Sequence, residues 1–278
     1  MNLAEISVRL GPHTETPSLD AHVLFAHILQ KPKSWLLAHP ETQPNPAQAA
    51  ALEVALQRLE NGEPLPYVLG HWEFYGLDFQ ITPDVLIPRP ETELLVESAL
   101  AWARTRSRSG AGLRLIEIGT GSGCISVCLA SLLPEAEISA TDISSAALVV
   151  ARLNAEKHGL AGRIRFYEAD LFPASPPQAF DLILSNPPYI PTATLKTLAV
   201  SGREPTLALD GGPDGLAVIR RLLDQSQRRL AAGGAIRIEI ESGLGQAVLA
   251  TAQSHFPERE VQILPDLAGL ERLLVVNT

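Results

Sequence analysis

An α/β fold is predicted: a doubly wound parallel sheet covered by helices on both faces, behind a small all-helical N-terminal domain and a β-hairpin linker. Three observations carry that expectation. Strand-like apolar runs alternate with helical patterns from Arg114 to Val276. Residues 1–66 hold only short helical stretches divided by prolines. Between them lies an aromatic-rich segment of period two, centred on Gly76.

In the N-terminal part the breaks fall at Gly11-Pro12, Lys31-Pro32, His39-Pro40 and Pro44-Asn45-Pro46. Pro17-Ser18 opens the clearest helix, with Leu19, Val23, Ala26 and Ile28-Leu29 as its apolar stripe. A second helix runs from about Pro46 to Glu60, turns Ala50, Val54 or Ala55, and Leu59 inward, and stops at Asn61-Gly62. Residues 1–66 are read as a helical domain with nothing catalytic in it, suited to substrate recognition by gripping a protein partner. Residues 67–90 form the hairpin linker, with Trp72, Phe74 and Tyr75 before Gly76 and Leu77, Phe79 and Ile81 after it. Residues 91–278 form the sheet domain. Its first long helix starts within Leu86-Ile87-Pro88-Arg89-Pro90-Glu91-Thr92-Glu93, which places a proline in the first turn and carboxylates at the positive end of the dipole. Arg89, between two prolines, is held extended, and its simplest role is an ion pair. Strands are expected at 114–118, 137–141, 163–168, 180–184, 235–240, 260–264 and 271–276, and helices from about 123 and at 145–158, 214–231 and 244–255.

Composition narrows the function. The 278 residues are enough for two cores, and 46 % apolar with 19 % charged residues argues against wholesale disorder. A net charge of −9 opposes a protein that grips nucleic acid through its phosphates. The basic run Arg104-Thr105-Arg106-Ser107-Arg108 reads as a solvated helix end. Cys124 and Cys128, four apart on one helix face, read as small core residues, and without histidines nearby no metal site is expected. The start lacks a charged segment followed by an apolar one, and no apolar run approaches the ~20 residues of a membrane span. A cytoplasmic protein with no membrane partner is expected.

Three loops that follow strand ends carry the chemistry, and in open α/β sheets such loops meet at the ligand site. The first is Gly119-Thr120-Gly121-Ser122-Gly123, a glycine-rich turn between a strand and a helix, where the backbone can approach a ligand closely. Its G-x-G-x-G spacing leaves Cys124 where a dinucleotide loop wants its third glycine, which disfavours a dehydrogenase. The second is Asp142, nineteen residues beyond Gly123 and closing the next strand, where a carboxylate can take both hydroxyls of a ribose or cap the following helix. Asp170, after the third strand, is placed to receive an adenine amino group, with Leu171 and Phe172 against the base. The third is Asn186-Pro187-Pro188-Tyr189. Prolines carry no N–H, so the carbonyls of this stiff corner have no adjacent donors competing with them, and the Asn186 amide adds one more acceptor. Such a corner can hold both hydrogens of a planar –NH₂ group; read more simply, it is a turn after a strand.

Together with Pro66-Tyr67-Val68-Leu69-Gly70, Pro88-Arg89-Pro90-Glu91-Thr92-Glu93, Arg203-Glu204-Pro205 and Gly211-Gly212-Pro213-Asp214-Gly215, these motifs resemble the protein-(glutamine-N5) methyltransferases of the release-factor (HemK or PrmC) family over nearly the whole chain. The resemblance implies a seven-stranded, Rossmann-like methyltransferase domain behind the helical domain and hairpin. It also implies S-adenosylmethionine as cofactor and, as acceptor, the glutamine in the Gly-Gly-Gln tip of class I peptide-chain release factors. Leu171 departs from relatives that carry an aromatic residue beside the adenine. A monomer with no direct nucleic-acid partner is expected.

On this reading Gly119, Thr120, Gly121, Ser122, Gly123, Asp142, Asp170, Leu171 and Asn186 bind the cofactor. Asn186 and the Pro187 carbonyl take the two amide hydrogens of the acceptor, Pro188 stiffens the turn, and Tyr189 walls the flat side of the glutamine. The long connection 191–213 is read as a lid over the acceptor pocket, tied down by Arg203 and Glu204. Three alternatives stay open: a glutamine methyltransferase of a ribosomal protein, an amino-adenine nucleic-acid methyltransferase, and a non-catalytic adenosine-binding module.

Overall fold

The structure is a computed structural model that describes residues 1–174 and 179–277. It divides into two compact units, Met1–His71 and the chain from Trp72 onward. Among the described residues no helix is long and apolar enough to cross a membrane.

The first unit is helical: α1 (Leu3–Leu10), α2 (Pro17–Leu29), α3 (Lys33–Ala38), α4 (Pro46–Glu60) and α5 (Leu65–Leu69). Capping boxes open two of them, Asn2 with Glu5 on α1 and Asn45 with Gln48 on α4, so the first backbone N–H groups are satisfied locally. The buried face of α4 is Leu52, Ala55, Leu56 and Leu59. That is the i, i+3, i+4, i+7 row; the expected Ala50 and Val54 face solvent instead. Three leucines remove more apolar area from water than the alternative stripe, and this decides the helix rotation. Helix α2 differs in the same way, burying Ala21, Leu24, Phe25, Ala26 and Leu29 while Leu19 is exposed. Nearly every side of α2 offers an apolar residue, so its period alone does not select a face. Arg9 forks between Glu53 at 2.6 Å and Glu60 at 2.5 Å, joining α1 to α4. Tyr67 to Leu69, expected to open the hairpin segment, are helical, and Gly70 closes α5 at φ +77°.

Strands β1 (His71–Phe74) and β2 (Leu77–Gln80) form the hairpin. Tyr75 (φ 53°) and Gly76 (φ 75°) both take positive φ between them, the two-residue turn whose twist suits paired strands. A single 3₁₀ turn at Pro90–Thr92 then leads into α6 (Glu93–Arg104).

The sheet follows as β3 (Arg114–Ile118), α7 (Cys124–Leu132), β4 (Glu137–Asp142), α8 (Ser145–Lys157), β5 (Ile164–Glu168), β6 (Phe180–Ser185), α9 (Thr192–Leu195), α10 (Ala217–Ser226), β7 (Leu230–Glu239), α11 (Gly245–His255), β8 (Glu260–Pro265) and β9 (Glu271–Asn277). Its seven strands run in the order β5-β4-β3-β6-β7-β9-β8. Chain order reverses between β3 and β6, the switch point at which open sheets bind ligands. The pairings from β5 to β7 are parallel, but β9 runs antiparallel to both β7 and β8, a departure from the all-parallel expectation. The reason is length: only 266–270 separate β8 from β9, too few for a crossover, so the strand must fold straight back. Helix α10 is shorter than the expected 214–231. Asp214 instead accepts from the N–H of Leu216 at 3.1 Å in a turn before it, and β7 already begins at Leu230.

Asn154, fully buried on α8, ties this unit together. Its Oδ1 accepts from the N–H of Gln80 at 2.7 Å, while Nδ2 donates to the carbonyls of Gln80 and Ser122 at 2.9 Å each. One side chain thus completes the end of β2 and braces the loop after β3. Replacing Asn154 by Ala strands three backbone groups and is expected to cost about 2–4 kcal/mol. Urea denaturation should show a lower midpoint with an unchanged slope.

Candidate active site

Parallel pairing sets Ile118 of β3 opposite Ser185 of β6, and the Ser185 hydroxyl donates to the Ile118 carbonyl at 2.8 Å. The glycine loop and the Asn-Pro-Pro corner therefore leave the sheet side by side. On the other side of β3, the N–H groups of Gly119 and Thr120 both donate to the Thr141 carbonyl at 2.9 Å. Beyond it, the Asp142 carboxylate accepts from Gly121 N–H through one oxygen and from Ser144 N–H through the other, each at 2.9 Å. The N-cap of α8 is Ser144, so the capping role weighed for Asp142 belongs to its neighbour. Burial raises the Asp142 pKa above the ordinary carboxylate value.

The three glycines of the loop have φ of +72°, +53° and +81°, a region that residues with a Cβ rarely occupy. They serve two purposes. A Cβ on Gly119 or Gly121 would meet nothing within 4 Å, so the backbone there is open to a ligand. On Gly123 it would stand 3.1 Å from Ala151, because α7 and α8 pack through that point.

These loops line a cavity of about 260 Å³. Gly119, Thr120, Gly121, Ser122, Asp142, Asp170, Leu171, Asn186, Pro187 and Pro188 all face it, whereas Gly123 lies behind the loop and Tyr189 does not reach it. Asp170 sits at a half-exposed rim, paired with Arg221 at 2.5 Å. Leu171 holds a positive φ of 70°, while Phe172 turns into the core and stacks on Phe180 instead of joining Leu171 at the cavity. Asn186 donates from Nδ2 to the Thr92 hydroxyl at 3.1 Å. The Tyr189 ring packs on the sheet core, and its hydroxyl donates to Glu239 at 3.4 Å. The expected wall over a flat substrate is therefore not where this ring stands.

Sequence reasoning passed over Glu117. This carboxyl lies under the glycine loop, accepts from the Thr120 hydroxyl at 2.8 Å, the Ser126 N–H at 2.9 Å and the Ser126 hydroxyl, and lines the cavity. Burial pushes its pKa up to about 7. Its signal was a lone acid inside the apolar strand Leu115 to Ile118.

The far wall comes from two segments away from the sheet. Val85, Leu86, Pro88, Arg89 and Thr92 contribute one part, and Pro205, Leu207, Ala208 and Asp210 the other. They are joined by Glu204, only 7 % exposed, whose carboxylate accepts from the Ile87 N–H at 3.1 Å and pairs with Arg89. The tie expected of Arg203 and Glu204 thus runs through Glu204 and Arg89, with Arg203 exposed.

Residues 2–70 match the family model described as the PrmC N-terminal domain, and residues 92–201 match the methyltransferase small domain. The release factor glutamine methyltransferase of Moorella thermoacetica is 44 % identical over 93 % of this chain and 90 % of its own length. That of Bordetella pertussis is 44 % identical over 92 % of this chain and 93 % of its own. The chain belongs to the release factor glutamine methyltransferases. Solved structures share the fold of this family member at low identity. A methyltransferase from Pyrococcus furiosus superimposes with a TM-score of 0.51 at 19 % identity, over 73 % of this chain and 89 % of that one. The 16S rRNA N2 G1207 methyltransferase of T. thermophilus, in complex with AdoMet and guanosine, gives 0.52 at 18 %, over 75 % and 49 %.

In this family member the Gly211-Gly212-Pro213-Asp214-Gly215 motif backs the Asn-Pro-Pro corner. A Cβ on Gly211 would lie 2.7 Å from the Tyr189 Cα, and one on Gly215, at φ +79°, would overlap the Tyr189 carbonyl oxygen. Gly215→Ala is expected to destabilise the protein by about 2–4 kcal/mol, from left-handed strain plus the clash. Thermal unfolding of the purified variant checks it.

Proposed function

We propose that this chain transfers a methyl group from S-adenosylmethionine to the side-chain amide nitrogen of the glutamine in the Gly-Gly-Gln motif of class I peptide-chain release factors. The observation that carries this reading is the anchored Asn186 carboxamide. Its Nδ2 is engaged by Thr92, which leaves Oδ1 as an acceptor in the same cavity that the glycine loop and Asp142 line.

The residues present fit the cofactor. Open positions at Gly119 and Gly121 admit it against the backbone, the Asp142 carboxylate keeps lone pairs for ribose hydroxyls, and Asp170 with Leu171 stands where an adenine would end. Bound there, S-adenosylmethionine supplies a methyl carbon activated by the adjacent sulfonium. A carboxamide nitrogen is a weak nucleophile because its lone pair is delocalised into the carbonyl. Asn186 Oδ1 and the Pro187 carbonyl take its two hydrogens, turn the nitrogen toward the cofactor pocket, and favour the positive charge that develops on it. Pro188 keeps the corner from relaxing. Water takes the released proton once the nitrogen has become cationic and acidic. The helical unit, Met1–His71, serves recognition of the protein substrate. The acid balance, −9 over the chain, supports a protein acceptor over a nucleic acid.

Asn186→Ala is expected to lower kcat by roughly 10²–10³-fold, the usual cost of one preorganised polar group at a reacting centre. Affinity for S-adenosylmethionine should change little. Asp142→Ala should do the reverse, weakening cofactor binding first. Transfer of labelled methyl to purified release factor decides the reading, with a factor whose Gly-Gly-Gln glutamine is replaced by alanine as the control that takes no label. Normal turnover by the Asn186 variant alongside lost cofactor binding would reverse these roles.

A further inference from the structure

A purine base presents two flat π faces, which proteins hold against aromatic rings or against the guanidinium plane of an arginine. Among the described residues that line the cavity there is no Phe, Tyr, Trp or His. The end where a base would lie is fixed by the sheet. Strands β4 and β5 pair in parallel with Asp142 opposite Glu168, and the Ala169 N–H donates to the Asp142 carbonyl at 2.9 Å. Ile143 and the Asp170-Leu171 pair therefore leave the sheet side by side. They give this end aliphatic surface from Ile143 and Leu171, and Arg221 joins them, its Nη2 donating to Asp170 Oδ2 at 2.5 Å. From this arrangement we infer that the Arg221 guanidinium is the planar wall on which the adenine of S-adenosylmethionine stacks, with Asp170 holding it in place. The inference rests on the cofactor assignment above.

The side chain comes from across the cleft. Arg221 belongs to α10, which follows β6, so its bond to Asp170 joins the two sides of the switch point. Val218, one turn earlier on the same face of α10, also lines the cavity. Its neighbour Arg220 does not line the cavity and pairs with Asp214 at 2.7 Å instead. Both members of the Arg221–Asp170 pair are half exposed, and an ion pair of that kind adds little to the stability of the fold. What it does is order a long side chain before a ligand arrives, which removes part of the entropy cost of binding. A guanidinium is weakly hydrated on its flat faces, so covering one with a base displaces little bound water, whereas a lysine ammonium is a compact, strongly hydrated point charge. The bond to Arg221 uses one oxygen of Asp170 and leaves lone pairs for the adenine amino group. Because the pair is neutral as a whole, it places no net positive charge beside the sulfonium.

The test is calorimetric binding of S-adenosylmethionine and S-adenosylhomocysteine to the full chain, as wild type, Arg221→Ala, Arg221→Lys and Arg220→Ala. Arg221→Ala should weaken both ligands about 3- to 30-fold, the scale of one cation–π contact, and by the same factor for each, because they share the base. Arg221→Lys should stay close to Arg221→Ala, since it restores the charge without the plane. Arg220→Ala, which removes a like charge from the same helix, should bind as wild type does. All variants should melt close to wild type when free of ligand. A readout that affinity does not enter is the Arg221 Nε–H resonance in ¹⁵N-arginine-labelled protein, identified by its absence in Arg221→Lys. It should move upfield when S-adenosylhomocysteine is added, under the ring current of the adenine. Wild-type affinity in Arg221→Ala, full recovery in Arg221→Lys, a loss confined to one of the two ligands, or an Nε–H signal with no upfield shift overturns the inference. Failure of the wild type to bind either ligand would sink the cofactor assignment and the inference with it, whereas any of the other adverse results leaves that assignment standing.

Discussion

The parallel pairing of β3 with β6 is the constraint on which the site depends. Those strands are far apart in sequence, yet the register of Ile118 with Ser185 brings the glycine loop and the Asn-Pro-Pro corner out of the same edge of the sheet. Both strands are almost wholly buried, so slipping the register by a residue would turn core side chains toward the wrong face. The hydrophobic effect thus fixes the separation of two loops whose own residues contribute little to stability.

Each loop is then stiffened by a different means. The glycine loop is tied by backbone N–H groups to Thr141 and Asp142 and braced from behind by Asn154. The corner cannot rely on its own N–H groups, since two of its residues are prolines. It is instead held from outside: the N–H of Ile190 donates to the Leu209 carbonyl at 3.0 Å, the N–H of Gly211 donates back to Ile190 at 2.9 Å, and two glycines leave room for the Tyr189 backbone. Segment 191–213 is less a free lid than a strap, and the buried Glu204 fastens it to the Pro-Arg-Pro turn.

Two of the buried carboxyl groups in the domain that carries this site, Glu117 and Glu239, have their pKa pushed up to about 7 by loss of water. Glu117 is compensated by three hydrogen bonds to one oxygen. Glu239 is compensated only in part: the Tyr189 hydroxyl reaches its Oε1 at 3.4 Å, and its Oε2 has no partner among the described residues. A buried acid with incomplete partners is costly, and Glu239 stands beside Tyr189, the last residue of the Asn-Pro-Pro-Tyr corner.

The sequence alone determined the α/β alternation, a hairpin around Gly76 and the span of α4, and it singled out three loops that the structure brings to one cavity, because each rests on local chemistry: period, proline and glycine conformations, and strand ends. It did not determine which sides of α2 and α4 face inward, since several apolar stripes were available and only packing against neighbours chooses one. Nor did it show that Tyr189 turns into the sheet, that Gly123 serves helix packing, or that Arg89 meets Glu204. Those contacts join residues distant in the chain, and only the assembled sheet, which brings Thr92 to Asn186 and Tyr189 to Glu239, could decide them.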